Sequence, residues 1–150
     1  MDTLDFLPVS RADMENRGWW YYDFLVVTAD AYIDHPSFGT AIIARVLEDE
    51  GFRVAVLAQP DWHSAGAFRA MGKPRYAVMI GGGNIDSMVA HYTAAKRRRS
   101  SDVYTPGGRA ARRPDRAVNV YCRLIREAYG DIPIAIGGVE ASLRLSLIHI

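Results

Sequence analysis

Cysteine occurs once in this 150-residue chain, at Cys122, and that scarcity excludes several classes of protein. One thiol cannot form an internal disulfide framework, which fits a reducing compartment. No apolar run approaches the roughly 20 residues needed to cross a bilayer, so no membrane partner is expected. The opening M-D-T-L-D-F-L-P has no basic leader and no sustained apolar stretch. A signal peptide is therefore not expected, and the predicted location is the cytoplasm. The dinucleotide fingerprint and the phosphate loop are missing too. Gly81-Gly82-Gly83 is contiguous rather than spaced, and no Lys-Ser/Thr follows it.

What remains is an ordinary globular composition, 49% hydrophobic and 23% charged, long enough for one domain with a core. Four apolar runs are each followed by a polar exit. Phe24–Val27 leads into T28-A-D-A-Y-I-D-H-P-S-F-G39, and R53-V-A-V-L-A58 into Q59-P-D-W-H63. Y76-A-V-M-I80 leads into G81-G-G-N-I-D86, and I132-P-I-A-I136 into G137-G-V-E-A-S142. Helical patterns alternate with these runs, which predicts an α/β fold: an open, mostly parallel sheet of about four strands with helices on both faces, Rossmann-like or flavodoxin-like.

Residues 1–22 read as an irregular lead-in ending in the aromatic cluster Gly18–Tyr22, packed at the domain edge. Ser37 is the expected cap of a helix running through Glu50, with Phe38, Ile42, Val46 and Ala41, Arg45, Asp49 on opposing stripes and Gly51 as its stop. A short helix over 65–71, one from Asp86 or Ser87 to about Lys96, and one opening at Pro114 and running to Tyr129 are expected next. The last would be buried through Ala117, Val120, Tyr121, Leu124, Ile125 and Ala128. Between them, 97–113 carries no helical or strand period and reads as a long basic loop. Residues 96–116 hold eight Lys/Arg against Asp102 and Asp115, a local +6 within a chain of net +1. Such a stretch is either a solvated or domain-facing surface or a contact for the phosphates of nucleic acid.

Parallel strands with right-handed crossovers bring their exits to one edge, where ligands of open α/β sheets bind. The expected site therefore gathers Asp30, Asp34, His35, Asp61, Trp62, Gly82, Gly83, Asn84 and Glu140. Carboxylates, an indole face and glycine amides suit a small polar ligand with a flat portion. The competing reading is that these groups cap helices and close loops. His63 and His91 have no partner at metal-ligand spacing, and Cys122 reads as a core filler, so no metal-binding or catalytic residue is assigned. D34-H-P-S-F-G39 is similar to the cobalamin-binding pattern Asp-x-His-x-x-Gly but departs from it in both spacings, so His35 is either an axial cobalamin ligand or a structural histidine.

Taken in order, T-A-D-A-Y-I-D-H-P-S-F-G, A-Q-P-D-W, G-N-I-D-S-M-V-A-H-Y-T-A, R-R-R-S-S-D-V-Y-T-P-G-G, R-P-D-R-A and G-G-V-E-A-S-L-R resemble the N-terminal region of the YgiQ-type radical SAM proteins over about residues 4–144. That resemblance implies a Rossmann-like domain over 23–144 that precedes a radical SAM barrel, its expected partner. The barrel's Cys-x-x-x-Cys-x-x-Cys motif would hold a [4Fe–4S] cluster and S-adenosylmethionine. No such motif is present here, so the 150 residues are expected to be an accessory domain, not catalytic by itself, that shapes a substrate or cofactor pocket. A nucleic-acid-contacting module working through 96–116 is the alternative. The resemblance stops at Arg144, and CTG-TCT-CTT-ATA-CAC-ATC, the end of a transposase-based sequencing adaptor, encodes Leu145–Ile150. Residues 145–150 are expected to be adaptor-derived, which the codons of the DNA would decide.

Overall fold

A computed structural model describes residues 6–146, so residues 147–150 of the adaptor-like tail lie outside the described residues. The elements are α1 (Arg11–Asn16), β1 (Phe24–Thr28), α2 (Gly39–Asp49), β2 (Val54–Ala58), α3 (Gly66–Met71), β3 (Ala77–Gly81), α4 (Ser87–His91), α5 (Ala117–Tyr129), β4 (Ile134–Gly137) and α6 (Gly138–Ser146). The four strands form one sheet in the order β2-β1-β3-β4, parallel throughout. This is the open, Rossmann-like α/β sheet expected from the alternation of apolar runs and helical patterns. Register pairs Thr28 with Ala58 and with Gly81, and Gly81 with Gly137, so all four strands end level at one edge.

Strand order fixes where the helices lie. From β1 the chain steps outward to β2, then returns past β1 to β3 and on to β4. Right-handed crossovers place helices on opposite faces when the direction reverses. Alternating side chains along the strands fill two cores accordingly. Leu25, Val27, Ala55, Val78 and Ile80 pack with Phe68 of α3 and with Tyr121, Leu124 and Ile125 of α5. Val26, Val54 and Val56 pack with Ala44 of α2 and with Leu7.

Several local expectations are corrected. The lead-in is not wholly irregular: Ser10 caps α1, accepting the Asp13 amide at 3.2 Å while its hydroxyl donates to the Asp13 carboxylate at 2.8 Å. Ser37 does not cap α2. Its amide donates to His35 Nδ1 at 3.1 Å, closing a turn that delays the helix to Gly39. Ala41 and Ala44 are the residues α2 buries, and Ile42, Ile43 and Val46 are exposed. Gly51, at φ +87, is the stop for α2.

α4 ends at His91 instead of Lys96, because Tyr92 becomes extended and bridges Arg98 across a turn in which Lys96 has φ +60. Pro114 does not open α5. Arg116 stands left-handed before it, and Asp115 is held by hydrogen bonds from His91 and Tyr92. Of the residues expected to bury α5, Val120 and Ala128 are only partly buried, and Val118 and Tyr129 join the core. Residues 97–113 are a long irregular connection without helix or strand of more than three residues. They are pinned by a Ser101–Arg109 bridge and a short 3-10 turn at Pro106–Gly108.

At the opposite edge, Tyr22 is buried while Trp20 stands 80% exposed. Guanidinium groups of Arg53 and Arg75 lie 4.3 and 4.7 Å from the Tyr21 ring centre there.

Candidate functional site

The direction reversal falls between β1 and β3, and a cleft opens at that point. Its volume is about 240 Å³. The register sets Val26, Met79 and Ala135 side by side on the α2 face, and these form the floor. Phe38, Thr40 and Ile43 of the α2 region make one wall. Asp30, Gly83, Asn84, Gly137 and Gly138 line the end formed by the strand exits. This is where ligands of doubly wound sheets sit.

Behind the exits lies a buried polar assembly centred on Arg113, whose side chain is fully buried. It grips Asp102 with two hydrogen bonds, Nε at 2.7 Å and Nη2 at 3.1 Å, and its Nη1 donates to the Gly82 carbonyl at 3.3 Å. Its Nη2 also lies 2.8 Å from Asp30 Oδ1. The other Asp30 oxygen accepts the Asn84 amide at 2.7 Å, tying the β1 exit to the β3 exit. Burial pushes the Asp30 carboxyl above its ordinary range, and the Asn84 amide and Arg113 charge offset this only in part. Gln59, in a left-handed conformation just after β2, donates to the Ala29 carbonyl at 2.9 Å and to Thr105 Oγ1 at 2.7 Å. The basic segment is thereby sewn to the strand ends.

Glu140, also fully buried, serves two helix starts. It accepts the Ser87 amide at 2.9 Å at the head of α4 and the Val118 amide at 3.0 Å at the head of α5. Negative charge is favourable at both, because each helix presents unpaired amides there. The glycine loop is glycine for a steric reason. A Cβ on Gly82 would lie 2.6 Å from Glu140 Cβ, and one on Gly83, at φ +95, would lie 2.5 Å from Asp30 Cγ.

The nine residues expected at the site divide into two groups. Asp30, Gly82, Gly83, Asn84 and Glu140 come together at the β1 and β3 exits, but Asp30 and Glu140 spend their oxygens on protein amides and on Arg113. Asp34, His35, Asp61 and Trp62 do not line the cleft. Asp34 turns back to pair with Arg45, which holds its carboxyl below the usual range. His35 is exposed. Asp61 pairs with His63 at 2.7 Å, and Trp62 stacks on that ring at 4.1 Å. β2 is the outer strand beyond β1, so its exit faces away from the reversal point.

Sequence reasoning missed Arg113, Asp102, Gln59 and Thr105. Nothing in the spacing of R-R-P distinguishes a buried arginine from its solvated neighbours.

Chemically, the cleft is mostly apolar. Its lining offers apolar side chains, backbone of the glycine loop and the Asn84 amide group, and among the described residues that line it only Asp30 is titratable. Among the described residues no group of three or more His, Cys, Asp or Glu is placed to hold a metal ion. Cys122 is half-buried in α5, and burial pushes its thiol up, away from the thiolate a cluster requires. The residues present therefore do not fit a [4Fe–4S] cluster, which needs several thiolates. No helix of the described residues is long and apolar enough to cross a membrane.

Comparison with known proteins gives a consistent picture. A family described as radical SAM N-terminal matches residues 6–149. The UPF0313 protein of Clostridium botulinum (strain Loch Maree / Type A3) is 58% identical over 144 residues, which is 96% of this chain and 22% of that protein. The UPF0313 protein of Clostridium perfringens (strain 13 / Type A) is likewise 58% identical, with the same coverage. The chain thus spans 22% of the length of these curated relatives. No solved structure matches it.

Proposed function

The chain belongs to the radical SAM N-terminal family, and on that premise we propose that it is the accessory domain of a radical SAM enzyme, presenting the β1/β3 cleft to the catalytic part of a longer protein. In this reading the domain binds and orients. The iron–sulfur cluster and S-adenosylmethionine belong to other segments, because a single half-buried thiol cannot hold the cluster.

One observation carries the reading. Seven of the fourteen large apolar side chains exposed among the described residues lie on the two segments that flank the cleft. Ile33, Ile42, Ile43 and Val46 on the α2 side, and Ile136, Val139 and Leu143 on the β4–α6 side, are exposed by between 45% for Leu143 and 58% for Val46. Apolar surface grouped around a concavity marks a place where another body packs. The ligand suited to the space between is a small molecule with a flat apolar portion, held against Met79 and Ala135, and a polar group meeting Asn84 and the glycine backbone.

Hydrogen exchange tests this, comparing the 150-residue chain with the longer protein encoded by its gene. Added protection is expected over 31–46 and 134–143, on either side of the cleft. Protection confined to the opposite edge, around Trp20, Tyr21 and Tyr76, would refute the orientation.

A further inference from the structure

A second concavity lies on the far side of Arg113. Asp30 lines the cleft, Asp102 lines this second cavity, and Arg113 binds both carboxylates. The cavity has a volume of about 580 Å³, within the range of small-molecule sites. Arg97, Arg98 and Arg99 line it together with Ser100 and Ser101.

The backbone holds these arginines in place. Tyr92 and Arg98 form an antiparallel bridge, the Lys96 amide closes the turn onto the Thr93 carbonyl at 2.8 Å, and the Arg99 amide donates to the His91 carbonyl at 2.7 Å. The local carboxylates are already engaged: Asp102 by Arg113, and Asp115 by His91 and Tyr92. Arg97, Arg98 and Arg99 form no direct ion pair among the described contacts, although Arg98 lies within electrostatic reach of Asp115 and Arg99 Nε donates to the Val89 carbonyl at 3.2 Å. Beside them the surface is apolar. Ala90 is buried at the base, and Val89 and Val103 stand 56% and 83% exposed at the lip.

We propose that this cavity binds a phosphorylated small molecule, its phosphate against Arg97–Arg99 and the serine hydroxyls, its organic portion against Val89 and Val103. Guanidinium forks match phosphate oxygens two at a time, and hydroxyls complete the donor set. A half-enclosed cavity with an apolar lip favours a discrete ligand over a polyanion strand, which asks for an open track with successive stacking platforms. The proposal does not depend on the domain's place in a larger enzyme.

The test is a fluorescence titration of the purified chain with N-methylanthraniloyl-labelled ADP, with inorganic pyrophosphate and an unlabelled single-stranded oligonucleotide as competitors. Saturable binding displaced by pyrophosphate is expected. The R97A/R99A double variant, whose side chains are exposed and whose fold is checked by circular dichroism, should bind at least about tenfold more weakly, the factor for one charged hydrogen bond. R112A/R116A removes the same charge from the same segment outside the cavity and should change affinity by less than about twofold. Equal weakening in both double variants would mean diffuse attraction and would overturn the site. Absence of binding by the unaltered chain would do the same. Displacement by the oligonucleotide but not by pyrophosphate would replace the proposal with a nucleic-acid surface.

Discussion

Replacing Arg113 by methionine probes the assembly behind the cleft most directly. The guanidinium is fully buried, and it serves two carboxylates whose side chains are only 4% and 2% exposed. Methionine keeps much of the volume but leaves Asp30 and Asp102 facing each other without a cation. Removing one partner of a buried ion pair costs about 3–5 kcal/mol, chiefly because the remaining charge is left unpaired in a poorly hydrated place. For a chain of this size that loss lowers the unfolding midpoint by roughly 6–20 °C.

The cost also has a sign in pH. Without Arg113 the Asp30 carboxyl, already raised by burial, is pushed further up by the neighbouring Asp102 charge. An acid whose folded pKa exceeds its unfolded value takes up a proton on folding. Its contribution to stability is complete below the unfolded pKa and is lost as pH rises through the folded pKa. The gap between Arg113→Met and the unaltered chain should therefore narrow as pH falls from 7 toward 4, and Asp102→Asn added to Arg113→Met should recover part of the loss at pH 7. Thermal unfolding followed by circular dichroism at several pH values measures all of this. A cost below about 1 kcal/mol, unchanged with pH, would show that Arg113 is solvated and that 97–113 is not folded against the strand exits.

Glu140→Gln should destabilise by about 1–3 kcal/mol in urea unfolding, because only one amide oxygen remains to accept from Ser87 and Val118; no shift would mean that the two helix starts are satisfied otherwise. Gly83→Ala should cost at least about 2 kcal/mol more than Gly51→Ala, since both glycines have positive φ but only the first would drive a Cβ into a neighbour, the Asp30 carboxyl; equal costs would refute the close approach. Ile42→Lys with Val46→Glu should raise the soluble yield of the chain with stability within about 0.5 kcal/mol of the original, and a large loss of stability would show that this stripe is core. After anaerobic reconstitution with iron and sulfide the chain should remain colourless, and a stoichiometric cluster would contradict the reading of Cys122.

The sheet was legible because continuous apolar runs with polar exits have one economical arrangement, a parallel sheet with both faces covered. Helix faces and ends were less legible. Period alone leaves two opposing stripes on α2, one with Ile42 and Val46 and one with Ala41, and it is Ala41 and Ala44 that are buried, since small residues let the helix approach closely. α4 has a helical pattern to Lys96, but the hydrogen bonds from His91 and Tyr92 to Asp115, 23 or 24 residues on, outweigh local propensity and end it early. Ser10 and Asp13 carried a readable cap signature for α1, and an irregular lead-in misses it.

Strand order is what separates the expected site from the one observed. The exits of four parallel strands do share an edge, but an edge is a line, and only the two strands flanking the reversal open a crevice between them. Asp61 and Trp62 are excluded by position, because β2 lies on the outer side of β1. Asp34 is excluded by chemistry, because Arg45 offers it a better partner than an open cleft. Asp30 and Glu140 reach the right place, and there the burial that makes a carboxylate conspicuous also obliges it to find donors within the protein. Each takes the amides of a loop or helix start that the strand exits would otherwise leave unpaired. The carboxylates thus brace the strand exits behind the cleft, and the glycine backbone and Asn84 are left in its lining.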